Sequence, residues 1–171
     1  MKRPGAIVLC AAVVAALGTA SASAAQPDIE AARQATAKFH DLAVTQANGY
    51  GQFADAAGIL CIDNLGVGGM GIHYVNGGNV GNPSEDVSHP EALVYAPDDF
   101  GRLRLAAAEY IVDKATWDAT HSGPPRLFGQ DFLTVPDGNR FGLAAFYERH
   151  AWLWKPNPSG FFNDWNPRVF C

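Results

Sequence analysis

The stretch Leu103-Arg104-Leu105-Ala106-Ala107-Ala108-Glu109-Tyr110-Ile111 decides how the chain is read. As a β-strand it sends successive side chains to opposite faces, which puts Glu109 on the face of Leu103, Leu105, Ala107 and Ile111. That face ought to be buried. A carboxylate there must find a cation, a metal or hydrogen-bond donors, because an unpaired buried charge costs several kcal/mol or forces protonation. The plainer alternatives are a structural pair with an arginine or a tyrosine hydroxyl, or a register that turns Glu109 outward.

Working outward, the sequence beyond Gly51 consists of short apolar runs separated by Gly, Asn and Pro, the texture of strands and turns. Further strands are expected near Met70–Asn76, Glu91–Ala96 and Phe146–Trp154. Pro97-Asp98-Asp99-Phe100-Gly101 reads as a tight connection between antiparallel neighbours. Residues 77–83 are expected to form a mobile loop without a regular element, and residues 122–139 to be irregular. Before Gly51, residues 28–46 lack Gly and Pro and space Ile29, Ala32, Ala35, Phe39 and Leu42 three or four apart, one face of an amphipathic helix. Pro27-Asp28 suits its start and Asn48-Gly49 its end, with Lys38 and His40 on the solvated side. The expected fold class is therefore α+β: an N-terminal helix packed on a curved antiparallel sheet of about four strands, pictured as cystatin-like.

Two histidines share the predicted sheet with Glu109: His73 in Gly71-Ile72-His73-Tyr74-Val75, and His150 in Tyr147-Glu148-Arg149-His150-Ala151-Trp152. Neutral imidazole on a rigid strand is a good metal ligand. His73, Glu109 and His150 together make a two-histidine, one-carboxylate set suited to zinc or another divalent metal, with positions left for water or substrate. They come from three separate strands without local ligand spacing, so satisfied core histidines are the competing reading. Glu148 shares a strand face with His150 and is the candidate proton acceptor or extra ligand. Glu91, after His89-Pro90, is a further carboxylate at a loop edge. The sequence has no Gly-x-Ser-x-Gly elbow and no phosphate-binding loop, and Gly66-Val67-Gly68-Gly69-Met70-Gly71 reads as a flexible lead-in to a strand.

The N-terminus has the three parts of an export signal: Lys2 and Arg3, an apolar stretch from Ala6 to Leu17, and the small residues Ala22-Ser23-Ala24. Residues 1–24 are read as a signal peptide and 25–171 as one globular domain, which places the protein in a secreted, periplasmic or extracellular setting. The apolar stretch falls short of the roughly 20 residues a membrane span needs. Removing Lys2 and Arg3 takes the formal net charge from −5 to −7, which argues against nucleic-acid binding. Cys61 and Cys171 survive that cut and read as one disulfide in an oxidising compartment. The C-terminal quarter carries Trp152, Trp154, Phe161, Phe162, Trp165 and Phe170 among Asn-Pro pairs. Such rings serve either to pack a tail without secondary structure or to offer a contact surface for a sugar, an envelope component or a partner.

Gly71-Ile72-His73, Glu91-Ala92-Leu93-Val94-Tyr95 and residues 103–112, ending Ala-Glu-Tyr-Ile-Val, resemble in order and spacing a stretch of the oil-body-associated proteins. The resemblance implies functional weight at His73 and Glu109, and it implies no reaction, since that family has no established catalytic activity. The chain departs from the pattern in its export signal and in lacking paired histidines between the first two motifs, with only His89 nearby. The tail, from Phe146-Tyr147-Glu148-Arg149-His150 to Asn166-Pro167-Arg168-Val169, resembles that of uncharacterised secreted bacterial proteins. Three function classes follow: a protein that binds a metal ion or small ligand, a metal-dependent hydrolase with Glu148 as base, and an envelope or partner-binding protein using its aromatic tail.

Overall fold

The computed structural model describes residues 20–81 and 84–171. The expected signal peptide lies outside them, apart from the backbone of its last residues, which belongs to the first helix. The elements in chain order are α1 (Ala20–Thr36), a 3₁₀ turn (Ala37–His40), α2 (Leu42–Ala47), β1 (Gly51–Gln52), β2 (Cys61–Asn64), β3 (Gly68–Val75), α3 (Gly77–Val80), β4 (Ala92–Pro97), β5 (Leu103–Asp113), α4 (Lys114–Asp118), β6 (Arg126–Leu127), β7 (Gln130–Asp131), β8 (Leu133–Val135) and β9 (Phe146–Ala151). The class is α+β. The antiparallel sheet has seven strands rather than four, ordered β1-β3-β4-β5-β9-β8 with β2 also paired to β3, and β6 and β7 form a separate ribbon.

The four central strands stand where the short apolar runs predict them. The additions are β1, β2 and β8, of two to four residues each, and β6 to β8 replace the irregular stretch expected over residues 122–139. The single helix expected over residues 28–46 is instead interrupted. Asp41 leaves helical geometry, at φ −92° and ψ 113°, and its carboxylate caps the amides of Ala43 and Val44, so α2 starts afresh. Residues 77–80, expected as loop, make one helical turn because the Asn76 side chain accepts from the amides of Gly78 and Asn79.

A bulge corrects the face assignment of Glu109. Val94 pairs with Ala107, but Tyr95 pairs with Leu105, leaving Ala106 without a partner on β4. The extra residue reverses parity within β5. Leu105 packs with Phe39, Tyr74, Leu93 and Tyr95 on the face covered by the helical segments. Ala107 lies on the opposite face with Val94, Trp152 and Val169. Glu109 and Ile111 follow Ala107 onto that second face, while Ala108, Tyr110 and Val112 pack with Ala32 of α1 on the first.

Gly68, Gly69 and Gly71, read as part of a flexible lead-in, are closely packed, whereas Gly66 faces open space. Gly71 has φ +105°, and a β-carbon there would stand 2.6 Å from the carbonyl oxygen of Tyr95. Gly68 meets the backbone of Asn166 just as closely, where an isolated bridge from Gly69 to Asn166 joins the tail to β3. Gly71→Ala is expected to destabilise the protein by about 3 kcal/mol through backbone strain and displacement of β4, measured by urea unfolding. An unchanged midpoint would contradict this packing. Cys61 at the head of β2 is disulfide-bonded to Cys171, with the α-carbons 5.6 Å apart. Among the described residues no helix is long and apolar enough to cross a membrane.

Candidate metal centre

The register of the sheet brings the predicted ligands together. Glu109 on β5 faces His150 on β9 directly and Ala92 on β4 on its other side. His73 on β3 pairs with Val94, so it lies diagonally from Glu109 with β4 between them. Ala92 ends at its β-carbon, and the imidazole of His73 reaches across β4 over it. Nε2 of His73 stands 3.4 Å from Oε2 of Glu109, and Nδ1 of His150 stands 3.8 Å from Oε1 of the same carboxylate. The two rings are perpendicular with centroids 5.7 Å apart. All three side chains are buried, His150 completely.

Two further carboxylates adjoin this group. Glu148 lies two residues before His150 on the same face, near enough for its charge to act on Glu109. Asp164 is the residue sequence reasoning missed. Its Oδ1 stands 3.8 Å from Nδ1 of His150, and ligand atoms of Glu148, His150 and Asp164 lie within 4.8 Å of one another, as do those of His73, Glu109 and His150. Hydrogen bonds hold Asp164 in a stretch without regular secondary structure. The indole of Trp152 donates to the Asn163 carbonyl at 2.6 Å, and the amide of Asn157 donates to the carbonyls of Asn163 and Trp165. Its only signal in the sequence was an acid among the tail aromatics.

These distances discriminate between chemistries. A direct hydrogen bond spans roughly 2.7–3.2 Å. Two ligand atoms each about 2 Å from one ion, at a tetrahedral angle, stand about 3.3 Å apart. The 3.4 Å separation matches the second case, and the two at 3.8 Å are too long for a direct hydrogen bond. Both nitrogens of His73, both of His150, Oε2 of Glu148 and Oδ1 of Asp164 are buried without a hydrogen-bond partner. Each orphaned polar atom costs about 1–3 kcal/mol, and an ion here would take one nitrogen from each ring together with neighbouring carboxylate oxygens.

The electrostatics agree with that. Burial, helped by the charge of Arg140, pushes His73 down to about 4. His150 lies well below its ordinary value because of burial, His73 and Arg149. Both rings are thus neutral at pH 7, the form that ligates metal. Burial and the neighbouring Glu148 hold Glu109 well above the carboxylate range. Burial also raises Asp164, and it brings Glu148 up to about 7. All three carboxyls are thus shifted toward their neutral form, and a dication is what would favour their ionised form.

Beside the centre is a cavity of about 180 Å³ whose floor is His73 and Glu109. Phe53, Val75, Val80, Ile111, Phe141 and Phe146 form most of its wall. The loop carrying Phe141 is tied down: Arg140 pairs with Asp55 at 2.8 Å, and the side chain of Asn139 accepts from the amides of Phe141 and Leu143.

No family model, curated protein or solved structure matches this chain.

Two other expectations are placed by the structure. The strand expected to run to Trp154 ends at Ala151, so Trp152 and Trp154 lie beyond β9 and do not alternate on one of its faces. Trp152 packs with Val94 and Ala107 on the site face, whereas the indole of Trp154 donates to Thr36 on the helix face. Glu91 is outside the centre. It is buried beneath the helix side, where Oε2 accepts from the Ile111 amide at 2.9 Å. Burial raises its carboxyl to about 8, so between about pH 4.5 and 8 the folded protein holds a proton that the unfolded chain releases. Stability therefore falls as pH rises through that window. Glu91→Gln keeps the acceptor and removes the ionisation. It is expected to add about 2 kcal/mol at pH 7.5 and almost nothing at pH 4.5, measured by urea unfolding at both values. An equal gain at both would show that ionisation is not the cause.

Proposed function

We propose that the protein binds one divalent metal ion through His73, Glu109 and His150, with Asp164 and Glu148 beside them, and works outside the reducing cytoplasm. The observation that carries this reading is the convergence of one buried ligand atom each from His73, Glu109 and His150, next to a second such group from Glu148, His150 and Asp164, with the nitrogens of both rings left unpartnered. Two imidazoles and a carboxylate with further carboxylates adjacent suit Zn²⁺, Mn²⁺ or Fe²⁺. The disulfide supports the compartment, since such bonds persist where the surroundings oxidise thiols. The resemblance to the oil-body-associated proteins bears on His73 and Glu109 and supplies no reaction. The test is elemental analysis of the mature chain, without a polyhistidine tag, purified from its native compartment. One equivalent of a transition metal is the expected result, and metal below a tenth of an equivalent after incubation with each of the three ions would refute it.

A second reading, hydrolysis, is favoured by the cavity that opens on His73 and Glu109. When bound, the ion would supply Lewis acidity at the cavity floor. Glu148, on the same strand face as His150, would take the proton of the attacking water. Turnover of a small uncharged ester that disappears with chelation and in Glu148→Gln, while that variant keeps its metal, is the result this reading requires.

A further inference from the structure

Resting on the metal reading, we infer that the cavity selects one chemical class of ligand: an uncharged molecule of about one six-membered ring plus one or two atoms, bearing a single neutral donor atom that reaches the ion. Three features of the cavity lead there.

The first is size. A dry apolar cavity of about 150 Å³ holds benzene, and this one measures about 180 Å³. A single ring with a methyl or a short substituent fills it, and a two-ring system or a long acyl chain does not. The second is the wall. Apart from His73 and Glu109, its residues are aliphatic, aromatic or glycine, so a ligand with a second polar group would bury that group without a partner. The sole polar end must point at the floor.

The third is charge, which selects the donor. The cavity wall has no lysine or arginine. Glu109 belongs to the ligand group at the cavity, and the carboxyls of Glu148 and Asp164 form the adjoining group that shares His150, so the surroundings of the ion position are rich in acids. The nearby cations are committed elsewhere. Arg149 donates to the Asp131 and Phe162 carbonyls on the other side of β9, and Arg140 pairs with Asp55. An anionic head such as a carboxylate therefore meets repulsion, whereas a pyridine-type nitrogen or a carbonyl oxygen brings a lone pair without a charge.

The test uses the mature, disulfide-bonded chain loaded with Co²⁺, whose visible bands report the ligand sphere, titrated with 4-methylpyridine and with benzoate, molecules of similar size. The bands are expected to shift with 4-methylpyridine at least tenfold more tightly than with benzoate. Val80→Trp, which fills the cavity from α3, should abolish the shift while leaving the bands of the cobalt protein unchanged. Leu143→Trp, at a half-exposed position in the opposite wall, makes the same test should the first variant not fold. Cobalt bands that no probe alters, a benzoate affinity equal to or above that of 4-methylpyridine, or a full shift in both tryptophan variants would overturn the ligand assignment and leave the metal reading standing. Absence of protein-bound cobalt bands would overturn both.

Discussion

Glu109→Gln is expected to weaken Zn²⁺ or Co²⁺ binding on the order of a hundredfold while leaving the metal-free protein folded and close to its original melting temperature. The carboxyl is buried and held well above its usual range, so without metal its neutral form is favoured, and a glutamine matches that form in shape and charge. With metal the two differ, because the ionised carboxylate lies between His73 and His150 and supplies the negative charge that a dication needs. A ligand at a thousand times its Kd stabilises the folded state by about 4 kcal/mol. For a domain of this size that corresponds to a melting temperature about 10 °C higher. Wild-type protein should show this rise with Zn²⁺ and lose it with a chelator, and the variant at the same Zn²⁺ concentration should show about a third of it. If Glu109 were only a structural partner for the histidines, the variant would change metal-free stability and neither protein would respond to metal. Thermal melts of both proteins with Zn²⁺ and with chelator decide between these outcomes.

Removing the disulfide by changing both Cys61 and Cys171 to Ser should lower stability by about 4 kcal/mol, with a fall of about 10 °C in the metal-free melting temperature. The bridge links residues 110 apart in sequence, so its absence frees a long loop in the unfolded chain. In the folded state the tail keeps its bridge to Gly69 and the hydrogen bonds around Asn163 and Asn166, so the double variant should still fold. Metal affinity should fall as well, by less than in Glu109→Gln, because Asp164 belongs to the segment the disulfide secures. A melting temperature within about 2 °C of the parent would mean that the tail is fixed without the bridge.

Much of this arrangement is legible in the sequence, and the reasons are local. The four central strands were bounded by Gly, Pro and Asn, and two-residue parity is enough to place His73, Glu109 and His150 on one face. That placement survives the bulge at Ala106 because Ala107 and Ile111 move with Glu109, whereas Leu103 and Leu105, which seemed to mark the same buried face, belong to the other. Nothing in Leu105-Ala106-Ala107-Ala108 signals the bulge, since it arises from pairing with β4. The short strands β1, β2 and β8 have too few residues to show a period. Asp164 is illegible for another reason: hydrogen bonds from Trp152 and Asn157 position it, and no local pattern reports them. The cavity wall depends likewise on Arg140 reaching Asp55, a contact across 85 residues.

The tether between Cys61 and Cys171 also sets an order of events. Asp164 lies in the segment between β9 and Cys171, and that segment is held covalently only once the thiols have oxidised. On the metal reading, a chain that meets metal before oxidant has the histidines and Glu109 but a less firmly held Asp164, and it is expected to exchange its ion more readily. Oxidation is then the step that turns provisional metal loading into lasting retention, in whichever compartment that oxidation takes place.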